Sequence, residues 1–380
     1  MLRNEDFSGE LIRGDDTEMM FDDICFSVPV NAETAEDVIS GIRRAAETDA
    51  RPLFPEGLAE RLTALGTACS PDDTEIMLRE VRRRYRTILG KTCPKAVQNW
   101  IRGTTPGMTN RVNNYELCYA LEMDFQQTAC FFQKHFLTLP FNVKSREDAV
   151  FCYCLYHRKP YAAAADMLAK SADYVPQENA HTATSQILSV IVQTEDDAAF
   201  MRYLSAHCYG NRQQFQLARS IILSEMEQLK ETVRKNAPNM KGSPERMNSA
   251  AIAELFGYRY QSVLKEKHKP DLPKRFAESL PNDVTLGKIV NGGTASYELL
   301  RKTLMLLRFY NFYSAAPNTD RNTVVNNLLD FYEELNGTLI SCGLAQIYVC
   351  HPFDCLLMYC ANSYDPILTM HYVNEWNSDL

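Results

Sequence analysis

The chain has 380 residues, 45% of them apolar and 23% charged, with a formal net charge of −8. That length supplies core for two or three domains, and no run of about 18 apolar residues is present to cross a membrane. The first residues are acidic where a secretory signal would be basic and then apolar, which predicts a cytoplasmic protein. Twelve cysteines do not form a disulfide framework in so large a chain. Cys118, Cys130, Cys152, Cys154, Cys355 and Cys360 sit in apolar helical text and read as reduced, buried thiols.

Residues 1–23 hold eight carboxylates against two arginines, the composition of a mobile, solubilising arm. Phe26–Val30 suits a short extended segment. A helix follows, with Asn31 as cap and Val38, Ile39, Ile42, Ala45 and Ala46 as its apolar stripe. Pro52 and Pro55 end it, and a further helix starts at Gly57. From Asp73 to Leu89, Met77, Val81, Tyr85 and Ile88 recur at helical spacing and leave the arginines on the other faces.

Arg79–Arg111 is the most distinctive stretch. It holds nine Lys or Arg and one carboxylate, Glu80, a formal +8, so the rest of the chain carries −16. A local basic island in an acidic protein is an electrostatic footprint for phosphate. Its second half has the pattern of a short recognition helix over 94–102. Thr92 is placed to cap it, Pro94 suits its first turn, and Gly103 ends it. Val97, Trp100 and Ile101 form an inward face with Trp100 as core anchor. Lys95, Gln98, Asn99 and Arg102 lie opposite and are residue types that contact bases or phosphates. The expected DNA contacts are therefore Arg79, Arg82, Arg83, Arg86 and Lys91 to phosphates, and Lys95, Gln98, Asn99 and Arg102 to bases.

Further helices are expected at 112–122 and 125–136. The order of basic helix, turn, recognition-like helix and apolar YELCYAL helix resembles the phage-repressor-like helix-turn-helix family, on Thr92–Gly103 and Tyr115–Leu121. The resemblance covers roughly 60 residues and implies double-stranded DNA as partner. The whole chain, through text such as CGLAQIYVCHPFDCLLMYCA, also resembles a group of bacterial regulators of mobile-element type. That likeness implies cytoplasmic DNA binding and transcriptional regulation.

Asp148–Leu155 and Tyr161–Met167 read as buried helices separated by Pro160. Helical text resumes from 183 to 236, where Phe215, Ala218, Ile222, Met226, Leu229 and Val233 form one stripe. Asn236–Glu245 reads as a linker. An internal echo follows. Val97, Trp100, Ile101 and Gly103 correspond to Leu286, Ile289, Val290 and Gly292, and Tyr115-Glu116-Leu117 to Tyr297-Glu298-Leu299. Val143, Asp148, Tyr153, Cys154 and Pro160 match Val349, Asp354, Tyr359, Cys360 and Pro366 at one offset. An ancient duplication is the expectation, with a basic patch (Lys265, Lys267, Lys269, Lys274, Arg275) before the second copy. Lys274, Arg275, Thr285, Lys288 and Asn291 are its candidate DNA contacts. Tyr297–Tyr313 is expected to be a core or dimer helix, and Asn322–Ile340 another helix.

No HExxH, GxSxG, P-loop or strand-borne GxGxxG motif is present. Cys152, Cys154 and His157, and Cys350, His351 and Cys355, lack zinc-type spacing. Asp148 and Asp354 suit helix starts better than acid–base chemistry. The sequence thus predicts an all-α, multi-helical protein that is not an enzyme and has neither cofactor nor metal. Its expected segments are an acidic arm and helix (1–57), a first helix-turn-helix lobe (58–170), a helical middle (171–262) and a diverged second lobe (263–380). A homodimer through the apolar helices is compatible with this reading, and the competing expectation is a helical protein–protein interaction protein or phage-defence-related adaptor with a relic helix-turn-helix.

Overall fold

The computed structural model describes residues 54–104, 106, 111–172, 183–236, 281, 283–293, 295–316, 318–367 and 369–370. The expected features at 1–46, the linker at 237–245 and the basic patch at 265–275 lie outside them, as do the side chains of 233–236 and 283–285. Among the described residues the fold is all helical, with fourteen α-helices and no strand. None of these helices is long and apolar enough to cross a membrane. The chain divides into two compact units. The first takes 54–214 with 340–346, and the second takes 215–236, 281–339 and 347–370. Among the described residues, the boundary between the units falls at Gln214 and Phe215.

Nine helices lie within the described part of the first unit. They are α1 (Phe54–Ala64), α2 (Thr74–Ile88), α3 (Lys95–Ile101), α4 (Arg111–Ala120), α5 (Phe125–His135), α6 (Arg146–Tyr156), α7 (Tyr161–Lys170), α8 (Thr184–Gln193) and α9 (Asp197–His207). Pro55 does not delay the start of α1, because proline is tolerated in a first turn whose N–H groups have no intrahelical acceptor. Helix α1 packs on α2, α3 and α5, while α4 packs on α2, α3, α5 and α6. Phe54 meets Trp100 edge-on at 6.0 Å and stacks on Phe136 at 5.9 Å. Tyr115 stacks on Phe151 at 4.7 Å. At Gly57 the His135 ring of α5 lies directly over α1, since a Cβ there would fall 2.1 Å from it. Burial pushes the Cys93 thiol up to about 11 and that of Cys154 to about 12. Cys130, expected to be buried, is exposed on α5, because the buried positions Thr128, Ala129, Phe131 and Phe132 take the other faces of that helix.

The second unit contains most of α10 (Asn211–Asn236) and α13 (Arg321–Ser341), together with α11 (Asp283–Val290), α12 (Tyr297–Ala315) and α14 (Pro352–Ala361). Helix α12 is its core element. Leu300, Leu304, Met305, Leu306, Leu307 and Phe309 are all buried, and Phe309 and Tyr313 meet Phe331 of α13 at 5.7 and 5.4 Å. On α10, Ala218, Ile222, Met226 and Leu229 are buried as the sequence stripe requires. Arg219 donates to the carbonyls of Ile289 and Val290 and so satisfies the last turn of α11.

Each unit is organised on a buried carboxylate in the first turn of a helix. Asp148 of α6 is fully buried and accepts from Arg111 Nε at 3.0 Å, Tyr115 Oη at 2.9 Å and the Asn142 backbone N–H at 2.8 Å. Asp354 of α14, equally buried, accepts from Arg301 Nη1 at 2.8 Å and the Tyr348 backbone N–H at 2.9 Å. Asp148 and Asp354 differ by 206 in number, as do Asn142 and Tyr348. The same offset relates the Ser145 N–H to Asn142 O bond and the His351 N–H to Tyr348 O bond, both 2.7 Å. It also relates the N-cap conformations of Ser145 (φ −77, ψ 129) and His351 (φ −73, ψ 129). Leu137 and Gly343, again 206 apart, both adopt positive φ, 53 and 67. At an offset of 189, α3 and α11 share a C-terminal turn. Gly103 and Gly292 have positive φ, and their N–H groups donate to Trp100 O and Ile289 O. The next N–H groups, of Thr104 and Gly293, donate to Asn99 O and Lys288 O, which completes a Schellman turn in both places.

Removing either carboxylate strands a buried guanidinium, so Asp148→Ala and Asp354→Ala are each expected to cost about 3–5 kcal/mol in urea unfolding. Burial alone would raise the Asp354 pKa, but Arg301, joined by His351, holds it well below the usual carboxylate range. A depressed pKa gives stability that is complete above the unfolded value of about 3.9 and is lost as pH falls through the folded one. The stability advantage of the parent over Asp354→Asn, followed by urea titration against pH, should therefore be flat near neutrality and shrink only below about pH 4.

Candidate nucleic-acid interface

Helix α2 has two chemically opposed sides. Met77, Leu78, Val81 and Tyr85 are buried against the unit, whereas Arg79, Arg82, Arg83 and Arg86 follow one another at i, i+3, i+4 and i+7 on the other side. Arg79, Arg83 and Arg86 are exposed and Arg82 is half-buried. Glu75, one turn before Arg79, marks the N-terminal limit of this positive stripe. Helix α3 repeats the division. Val97, Trp100 and Ile101 are buried, and Lys95, Gln98, Asn99 and Arg102 take the same i, i+3, i+4, i+7 relation on the open side. Lys95 and Arg102 are exposed, while Gln98 and Asn99 are half-buried.

The two stripes meet. Arg82 Nη2 donates to Gln98 Oε1 at 2.6 Å, and Gln98 Nε2 donates to the Cys93 carbonyl at 2.9 Å. The start of α3 differs from expectation. Pro94, in extended conformation at ψ 147, is the N-cap, and no side chain caps the helix. Thr92 is exposed and lies outside the helix. Proline cannot donate to an oxygen, and its carbonyl already accepts the Gln98 N–H at 3.2 Å. Residues 89–94 separate α2 from α3, a longer link than the three or four residues of a tight helix-turn-helix.

Several cations of the basic stretch are used inside the unit. Glu80 accepts from Arg83 at 2.5 Å and from Arg84 at 2.9 Å, and Arg84 also reaches Glu122 at 2.6 Å. Lys91, expected to hold phosphate, donates to buried Glu116 at 2.6 Å, and Tyr161 Oη donates to the same carboxylate oxygen at 2.7 Å. Arg111 belongs to the Asp148 anchor. These partners were not foreseen. Glu116 and Asp148 lie 25 and 37 residues from the cations they bind, a separation that helical periodicity does not encode. Asp148 alone carried a signal, as the carboxylate opening an apolar helix.

In the second unit, Lys288 and Asn291 are exposed at the end of α11. Thr285 lies in α11 without a described side chain, and Lys274 and Arg275 lie outside the described residues. Among the described residues no group of three or more His, Cys, Asp or Glu side chains is arranged to hold a metal ion. No family model, no curated protein and no solved structure matches the chain.

The Arg83 hydrogen bond, opposed by burial and aided by charge from Arg83 and Arg84, lowers the Glu80 pKa. Its contribution to stability is present above the unfolded carboxylate value of about 4.3 and is lost as pH falls through the lowered folded value. Glu80→Gln should therefore be less stable than the parent at pH 7, and thermal melts of the two should converge as the solution is acidified below about pH 4.

Proposed function

We propose that the first unit binds double-stranded DNA on the surface formed by α2 and α3, in the service of transcriptional regulation. The observation that carries this reading is the junction of two polar stripes through the 2.6 Å Arg82–Gln98 bond. It makes one surface of Arg79, Arg82, Arg83, Arg86, Lys95 and Arg102 in a chain whose net charge is −8. Arg79 to Arg86 spans about 10 Å at 1.5 Å per residue. With one phosphate per 3.4 Å of each strand, that length faces about three of them. Lys91 lies beside this surface as support, held by Glu116. Asn99 and Arg102, at the open end of α3, are the residues best placed for base edges.

The second unit is, in the same proposal, a diverged copy of the first. The support is the repeated Asp anchor and the repeated Schellman turn, which extend the sequence echo to backbone conformation. Its α11 carries the single cation Lys288 where α3 with its cap carries Lys95 and Arg102, so the DNA contact is assigned to the first unit.

Arg79 and Arg86 are exposed and make no hydrogen bond or ion pair among the described residues, so replacing both by alanine leaves the core intact. Fluorescence anisotropy on a labelled duplex at graded salt should then show the log–log salt slope flattened by about 1.8, the loss of two phosphate contacts. The loss should be similar on duplexes of different sequence. An unchanged slope would falsify the assignment of this surface to DNA and transfer it to a protein partner.

A further inference from the structure

We infer that Gln98 is a positioning residue for Arg82, so that at this point the surface reads the DNA backbone and not a base edge. The inference rests on the proposed DNA contact and refines it. A glutamine that reads adenine uses both halves of its amide at once, Oε1 accepting from N6 and Nε2 donating to N7. Here both halves are engaged within the protein. Oε1 accepts from Arg82 Nη2 at 2.6 Å, and Nε2 donates to the Cys93 carbonyl at 2.9 Å. Turning Gln98 outward would break both bonds and leave the carbonyl of buried Cys93 without this donor.

What the bonds accomplish is visible at Arg82. Its neighbours Arg83 and Arg84 are matched by Glu80 and Glu122, but among the described residues no carboxylate pairs with Arg82. Its charge is left for an outside anion. Its guanidinium has five N–H donors in a rigid fork, and Gln98 takes a single Nη2 bond. The remaining donors are held in a fixed orientation on a stripe of cations. Gln98 is itself fixed by the backbone of Cys93, which precedes the N-cap of α3. The aim of Arg82 is thus set by the seating of α3, and α3 acts as a platform that orients a phosphate ligand carried by α2.

The test is a double-mutant cycle on the full chain with Arg82→Ala, Gln98→Ala and the pair, each measured on duplexes rich in A·T and in G·C. Gln98→Ala should weaken every duplex by the same factor, about three- to tenfold. The pair should bind no more weakly than Arg82→Ala alone. Gln98→Glu keeps an acceptor for Arg82 but loses the donor to the Cys93 carbonyl, and its charge offsets that of Arg82, so the salt slope should flatten by about 0.9. A changed ranking of duplexes in Gln98→Ala, or losses that multiply in the pair, would overturn the inference. Side-chain NMR of Arg82 in DNA-free protein separates the two proposals. If its guanidinium is rigid in the parent and mobile in Gln98→Ala while no duplex binds the parent, the positioning stands and the DNA reading fails. If duplexes bind and the guanidinium is equally mobile in both proteins, the positioning fails alone.

Discussion

A carboxylate taken out of water needs hydrogen-bond donors to replace its hydration. Asp148 meets that demand with the guanidinium of α4, a tyrosine hydroxyl one turn further along the same helix, and a backbone N–H from the preceding loop. Those donors come from segments separated by up to 37 residues, so the carboxylate fixes where α4, α6 and the loop before α6 lie. Asp354 does the same for α12, α14 and the loop ending at Tyr348. Hydrophobic burial of Leu117, Phe132 and Phe151 supplies driving force but is tolerant of small rotations. The directional bonds to one buried oxygen pair are not, and they select one register for the helices around them.

The candidate surface inherits its geometry from that anchor. Arg111 begins α4, and Glu116 lies on the same helix where its carboxylate holds Lys91, in the link between α2 and α3. Trp100 then seats α3 against Phe54 and Phe136. A chain of contacts therefore runs from the buried Asp148 through α4 to the link, and from the aromatic cluster to α3. The open stripe of α3 is a consequence of the core beneath it. Using Lys91, Arg84 and Arg111 for this purpose has a cost in surface charge. The +8 of the linear stretch overstates what a ligand would meet.

The helical class and the two-sided character of α2 and α3 were legible because apolar residues at a 3.6-residue period report on one face at a time. The positions of Met77, Val81 and Tyr85, or of Val97, Trp100 and Ile101, are enough to say which residues turn inward. They say nothing of what meets the outward residues. Arg82 and Gln98 are 16 residues apart, and their bond depends on how two short helices cross. Charge counts mislead for the same reason, since Lys91 and Arg86 look alike in the sequence until Glu116 is placed beside one of them. The echo between the halves was readable along 143–160 because the offset of 206 is unbroken there. The anchoring arginines were not readable from it. Arg111 precedes Tyr115 by four residues, and Arg301 follows Tyr297 by four.

That mismatch bears on the proposed duplication. Residues four before and four after a given tyrosine lie on the same helical face, one turn to either side. An arginine from either position can approach a carboxylate in the facing helix, so on the duplication reading the donor has moved two turns while the acceptor stayed. In both units the aspartate is bound also by a backbone N–H whose position the loop dictates, whereas an arginine can reach the same oxygens from either turn. Substitutions on the solvent face carry no comparable constraint and commonly change stability by less than about 0.5 kcal/mol. A duplicated helix can therefore lose a row of surface cations at little cost to folding, as α11 would have done relative to α3. The buried carboxylate and its loop would be retained, because losing either leaves an ion without a partner in the core.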